Sequence, residues 1–95
     1  MAKYEVITTN QFNKDLKLAK KRGLNTQDLF DVVAKLSEGE QLPPQNRNHQ
    51  LVGEYKGLWE CHIAPDWLLI YDKDKEIKVI SLERTGTHSD LFKKK

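Results

Sequence analysis

The sequence predicts an α+β domain: an N-terminal strand and a two-helix hairpin, packed on an antiparallel sheet of about four strands, with a short helical turn at the C-terminal end. Three observations carry this. Apolar residues recur at helical spacing in the first half, β-rich runs fill the second half, and a proline pair followed by a polar stretch separates the two. A length of 95 residues with 38% hydrophobic content provides one modest core and one domain, residues 1–95.

Tyr4 to Thr8 is rich in β-formers and reads as the first strand, after which Thr9 or Asn10 can cap a helix. Phe12, Leu16 and Ala19 mark its apolar stripe, Lys14, Lys17 and Lys21 lie on its other faces, and Gly23 closes it as a C-terminal cap. A second helix begins at the Asn25 and Thr26 cap signals, places Leu29, Val32, Val33 and Leu36 on one stripe, and stops at Gly39. Pro43 and Pro44 forbid further helix, and Gln45 to Gln50 shows neither period, so a loop leads to His49. Three β-rich runs follow: Leu58 to Ile63, Trp67 to Tyr71 and Ile77 to Glu83, joined through Ala64-Pro65-Asp66 and Asp72 to Glu76. Thr87 to Phe92 reads as the last helical turn. By the period of two, Lys78, Ile80, Leu82 and Arg84 share one face of the third run. That run either returns Arg84 to His88 beside the Pro65 turn or delivers them to the opposite end; the sequence leaves both open.

Sixteen Lys+Arg against 14 Asp+Glu give a net charge of +2, too small by itself to announce a nucleic-acid binder. Distribution says more: Lys14, Lys17, Lys20, Lys21 and Arg22 crowd one segment and Lys93 to Lys95 another, clusters that track phosphates or form a solvated face. The single cysteine, Cys61, excludes an internal disulfide, and no signal-peptide pattern opens the chain, so a cytoplasmic location is expected. No apolar run is long enough to cross a bilayer, so no membrane partner is expected. No glycine-rich phosphate loop is present, which excludes a nucleotide-hydrolysing P-loop. Cys61, His62 and Asp66 invite a zinc site, but paired ligand spacing is missing, so neither a metal nor a cofactor is expected.

The polar residues that stand out are His49, His62, Asp66, Arg84 and His88. Histidines, a carboxylate and an arginine without metal-ligand spacing suit proton transfer at a phosphate. RNA cleavage without a metal requires a base for the 2'-hydroxyl proton, cationic donors for the charge growing on phosphate, and an acid for the leaving 5'-oxygen. Trp67 and Phe92 offer flat faces on which unpaired bases can stack. Each has a plainer reading: the aromatics as core residues, His62 as a structural histidine, Asp66 as a turn residue.

The combination is more specific than its parts. His49-Gln50-Leu51-Val52-Gly53-Glu54-Tyr55-Lys56-Gly57 is followed by Glu60-Cys61-His62-Ile63-Ala64-Pro65-Asp66-Trp67, and the chain closes with Glu83-Arg84-Thr85-Gly86-Thr87-His88-Ser89-Asp90-Leu91-Phe92. These runs resemble the signature of the YafQ branch of the RelE-like mRNA interferases: H-x-L-x-G-x-x-K-G, a strand ending in H-x-x-P-D-W, and a terminal R-T-G-[ST]-H-x-x-L-F. The resemblance covers the C-terminal half; the N-terminal half agrees in layout. It implies a RelE-like fold, a type II toxin, and ribosome-dependent, metal-independent cleavage of mRNA. It also implies a cognate antitoxin that silences the toxin, with operator DNA reached only through the antitoxin complex. His49, His62, Asp66, Trp67, His88 and Phe92 match positions that family members use for activity. Arg84 matches the basic residue of the terminal motif, and Lys56 joins Trp67 and Phe92 as a substrate-binding residue. On this reading Asp66 or His62 is the base and His88 the acid, His49 and Arg84 stabilise the phosphate, and Trp67 and Phe92 place the nucleotide. Two rivals stand beside it: a noncatalytic toxin of the same fold that poisons DNA gyrase, and a ribosome- or RNA-binding module. Three histidines with Asp66 favour the enzyme, because a binding protein needs no proton donors.

Overall fold

A computed structural model describes residues 3–92; the lysine run from 93 to 95 noted above lies outside the described residues. Strand β1 (Glu5–Thr8) enters helix α1 (Asn10–Lys21), whose first turn is capped by the Thr9 side chain accepting from the Phe12 N–H at 2.9 Å. Helix α1 ends at Arg22, and Gly23 follows with φ +80°, so that the Leu24 N–H reaches back to the Ala19 carbonyl. Helix α2 (Thr26–Ser37) is capped by Asn25 and closed by Gly39 at φ +77° with the same reverse bond, Glu40 N–H to the Lys35 carbonyl. Each glycine thus supplies the left-handed residue that satisfies a helix's last carbonyls.

The sheet has five strands in the order β1-β5-β4-β3-β2, with β2 (His49–Gln50), β3 (Trp59–Ala64), β4 (Trp67–Asp74) and β5 (Val79–Gly86). The fold class is the expected one, and the sheet differs in three respects. First, β1 pairs with β5 in parallel, so the sheet is mixed. The helix hairpin delivers the chain to the far edge of the sheet, where β2 runs against β1, and three antiparallel steps then bring β5 back alongside β1 in the same sense. Second, the segment read as a loop ends in a two-residue strand, in which His49 lies opposite Glu60 and Gln50 opposite Trp59. Third, β5 starts at Val79 rather than Ile77, because the Asp74 carboxylate accepts from the Glu76 and Ile77 N–H groups and Lys78 takes φ +60°, which keeps Ile77 in the turn.

The expected alternation on β5 also breaks. Tyr71 pairs with Leu82 but Ile70 pairs with Arg84, so Glu83 is the extra residue of a bulge. Arg84 therefore leaves the row of Ile80 and Leu82, and Thr85, opposite Leu69, continues it. Because β4 and β5 are antiparallel, Gly86 lies opposite Leu68, and the C-terminal segment returns beside the Pro65 turn.

One face of the sheet packs Cys61, Trp67, Leu69, Tyr71, Ile80 and Leu82 against Phe12 and Ala19 of α1 and Leu29, Val32 and Leu36 of α2. The other face buries Leu68 and Ile70 under Leu91, with Leu51, Tyr55, Leu58 and Phe92 around them. That cover comes from the loop after β2 and from a short helix, α3 (His88–Leu91), the turn anticipated at the C-terminal end. None of the described helices is long and apolar enough to cross a membrane. Since β4 is buried from both sides, Leu69→Ala and Ile70→Ala should each destabilise by about 2–5 kcal/mol in urea unfolding. A negligible cost for Ile70→Ala would mean that the second face is solvated.

Candidate active site

The face away from α1 and α2 carries the site. On β3, period-two alternation turns Trp59, Cys61 and Ile63 toward the helices, and Glu60 and His62 toward the small second cluster, opposite Ile70 and Leu68. Pairing of β2 with β3 adds His49 beside Glu60, and the return of β5 adds His88.

Glu60 is the organising group and was not singled out by the sequence reading. It is 5% exposed, and its Oε1 lies 3.4 Å from His49 Nε2 and 3.8 Å from His62 Nε2. A carboxylate taken this far from water needs cationic or hydrogen-bonding company, and the two imidazoles supply it. His49 Nδ1 donates to the Arg47 carbonyl at 2.7 Å, which fixes the ring with Nε2 toward Glu60. The only sequence signal for Glu60 is its place two residues before His62 on a strand, which puts both on one face.

Asp66 and His88 form a second carboxylate–histidine couple. Asp66 Oδ1 accepts from His88 Nδ1 at 3.0 Å and from the His88 backbone N–H at 3.2 Å. These bonds, the ring's first, hold the Asp66 carboxyl below its ordinary pKa, although both side chains stand in solvent. With Nδ1 committed to Asp66, Nε2 is the His88 nitrogen left for proton exchange with a substrate. The rings of His62 and His88 lie edge to face with centroids 5.7 Å apart, and Phe92 flanks His88 at 6.2 Å. Phe92 is in turn met edge-on by Tyr55 at 5.4 Å, whose hydroxyl donates to the Leu91 carbonyl.

The turn that bears His88 is held from three sides. Thr87 and Asp90 form a reciprocal capping box, and Arg22 of α1 grips Asp90 through two nitrogens, the shorter contact 2.6 Å. Gly86 packs against it so closely that a Cβ there would meet Asp90 at 3.0 Å. The segment before β2 is clamped likewise. Asn46 Nδ2 donates to the His62 carbonyl at 2.6 Å, and the Tyr71 hydroxyl donates to Asn48 Oδ1 at 2.6 Å. Beside His62 this segment borders a cleft of about 500 Å³ lined by Gln45, Asn46, Arg47, Ala64 and Pro65.

His49, His62, Asp66, His88 and Phe92 are therefore brought together. Lys56 is an exposed residue of the covering loop. Two expectations need correction. Trp67 is 2% exposed and its indole N–H donates to buried Thr85 Oγ1, so its ring belongs to the helix-side core and presents no face to a base. Arg84 binds Asp15 through Nε at 2.7 Å and Nη2 at 3.3 Å, with the Thr85 N–H on the same carboxylate, and so sits against α1 rather than among the histidines. Cys61 faces the opposite core from His62, so the two side chains do not converge as the zinc reading required; burial pushes the Cys61 thiol up to about 12.

A mixed sheet with a two-helix hairpin on one face and a histidine site on the other places the chain with the small RelE-like toxins. The chain belongs to the YafQ family, described as a bacterial toxin of type II toxin-antitoxin systems, whose model matches residues 4–93. It is 37% identical over 93 residues to the mRNA interferase toxin YafQ of Escherichia coli K12, covering 97% of this chain and 99% of that protein. The crystal structure of YafQ from E. coli BL21(DE3) superposes with a TM-score of 0.87 at 36% identity, covering 94% of this chain and 98% of that one. YafQ in the E. coli DinJ–YafQ toxin–antitoxin complex gives a TM-score of 0.86, also at 36% identity, covering 95% and 98%.

The grip of Arg22 and the Thr87 N–H pulls the Asp90 carboxyl down to about 2. A folded value below the unfolded one means that this stabilisation is complete above the unfolded value of 3.8 and is lost as pH falls through about 2. A carboxyl NMR titration should place Asp90 near that lower value, and Arg22→Ala should return it toward the ordinary ~3.9. An unmoved midpoint would mean that the ion pair is not the cause.

Proposed function

We propose that this chain is the toxin of a type II pair and an endoribonuclease that cuts mRNA on the ribosome, without a metal, through attack of a 2'-hydroxyl on its own 3'-phosphate. The observation that carries this reading is the facing of His62 and His88 at 5.7 Å, each backed by a carboxylate, Glu60 or Asp66. In the step, the 2'-oxygen bonds to phosphorus and the bond to the 5'-oxygen breaks. One histidine takes the 2'-proton and another returns a proton to the leaving oxygen. His62 is the base and His88, through Nε2, the acid. Asp66 holds the His88 tautomer and stays ionised, which makes it an orienting group rather than a strong base. His49, with Glu60 behind it, faces the charge that grows on the phosphate. Phe92 and Tyr55 form the wall against which the nucleotide rests, while Trp67 supports the sheet beneath. Arg84, tied to Asp15, acts through its field and through the anchoring of β5 to α1.

Two findings on E. coli YafQ support the biological setting. The E. coli protein carries the name mRNA interferase, and E. coli YafQ has been solved with DinJ as a toxin–antitoxin complex. This chain accordingly has a cognate antitoxin, meets operator DNA only within that complex, and works in the cytoplasm, where ribosomes and mRNA are.

Primer extension on a translated mRNA, with and without purified ribosomes, tests the reading. Discrete cuts within codons should appear only with ribosomes and should fall by about 10²–10⁴-fold in His88→Ala, the usual contribution of a positioned acid. Absence of cuts from folded protein under every condition would favour a toxin that acts by binding alone.

A further inference from the structure

We infer that Arg47 is the guanidinium that meets the RNA backbone beside His62, a contact to a phosphate that Arg84 is not placed to make. This rests on the nuclease reading above and starts from the state of the arginines. Among the described residues the arginine ion pairs are Arg22 with Asp90 and Arg84 with Asp15, both on the α1 side of the molecule. Arg47 is exposed in the wall of the cleft that also holds His62, Asn46 and Pro65. A guanidinium there presents a planar fork to phosphate oxygens, the match for which arginine is suited.

The backbone at Arg47 carries the stronger argument. It adopts φ 47°, a left-handed conformation that a residue with a Cβ takes only at a cost, and that asparagine or glycine would take more easily. Bonds on both sides enforce it. The Arg47 N–H donates to the Pro44 carbonyl at 3.0 Å, its own carbonyl accepts from His49 Nδ1, and neighbouring Asn46 donates to the carbonyl of His62 itself. Asn48, on the other side, is fastened to Tyr71. Arg47 thus shares one rigid frame with His49 and His62. A strained arginine pinned within the frame of the proton-transfer residues is a pre-positioned cation, whereas closing the turn alone would be better served by asparagine.

The test separates charge from fold. A fluorescein-labelled 2'-O-methyl RNA, which cannot undergo 2'-attack, is titrated with the full chain and with Arg47→Asn, Arg47→Gly and Arg47→Lys at two salt concentrations, reading anisotropy. The asparagine and glycine variants should bind roughly tenfold more weakly at low salt. Their log–log salt slope should be shallower by about 0.7, the share of one phosphate on a single strand. Their urea midpoints should equal or exceed that of the parent, since both residues accept the left-handed backbone. The lysine variant should keep the parent's salt slope. Equal RNA affinity in the asparagine variant, a lysine variant as weak and as salt-insensitive as the asparagine one, or no RNA binding by the parent would each overturn the inference. Cleavage on programmed ribosomes, run alongside, isolates the other reading: a parent that binds RNA through Arg47 but never cuts it would sink the nuclease assignment and leave the contact standing.

Discussion

Everything in this domain is arranged around strand β4, which must be buried on both faces at once. Trp67 to Tyr71 are all within 2% of full burial, so alternate side chains need cover from opposite directions. The helices supply it for Trp67, Leu69 and Tyr71. Neither α1 nor α2 reaches Leu68 and Ile70, and the cover there comes from the loop after β2 and the single turn of α3. The first of those segments continues directly from β2, which carries His49, and the second carries His88. Closing the second core and assembling the site are therefore the same event, with His62 and Glu60 waiting on β3 between them.

The two sides of the sheet treat charge differently. Toward α1, Arg22 and Arg84 are each gripped through two nitrogens by a single carboxylate, contacts that lock the C-terminal strand and turn to the helix. On the open side histidine rings face Glu60 and Asp66 at 3.0–3.8 Å, and Arg47 stands exposed beside them. The paired arginines hold the frame, and the imidazoles are kept where a substrate can reach them. The bulge at Glu83 separates the two: by shifting the alternation one residue it sends Arg84 to Asp15 and lets Thr85 take the buried row under Trp67.

The local elements were legible because their signals are local. Thr9 and Asn25 cap their helices, Gly23 and Gly39 end them, and the spacing of Phe12, Ala19, Leu29, Val32 and Leu36 matches the stripes that pack. The motif order also groups His49, His62, Asp66, His88 and Phe92, which the fold brings to one face. What could not be read were long-range choices made by cheap local states. The β2 strand is two residues whose pairing exists only because β3 is beside it, and β1 finds its parallel partner in β5, with Glu5 opposite Val79, a pairing that no local signal announces.

By itself the sequence determined the class of fold, the helix limits and the membership of the histidine set, since caps, periodicity and motif spacing act within a few residues or within a fixed order. Only the tertiary structure decided which faces those residues occupy. It buried Trp67, gave Arg84 to Asp15 across 69 positions of chain, set Glu60 between two histidines, and held Arg47 in a left-handed turn. The physical reason is that burial and ion pairing are settled by neighbours in space, and a single bulged residue is enough to exchange one set of neighbours for another.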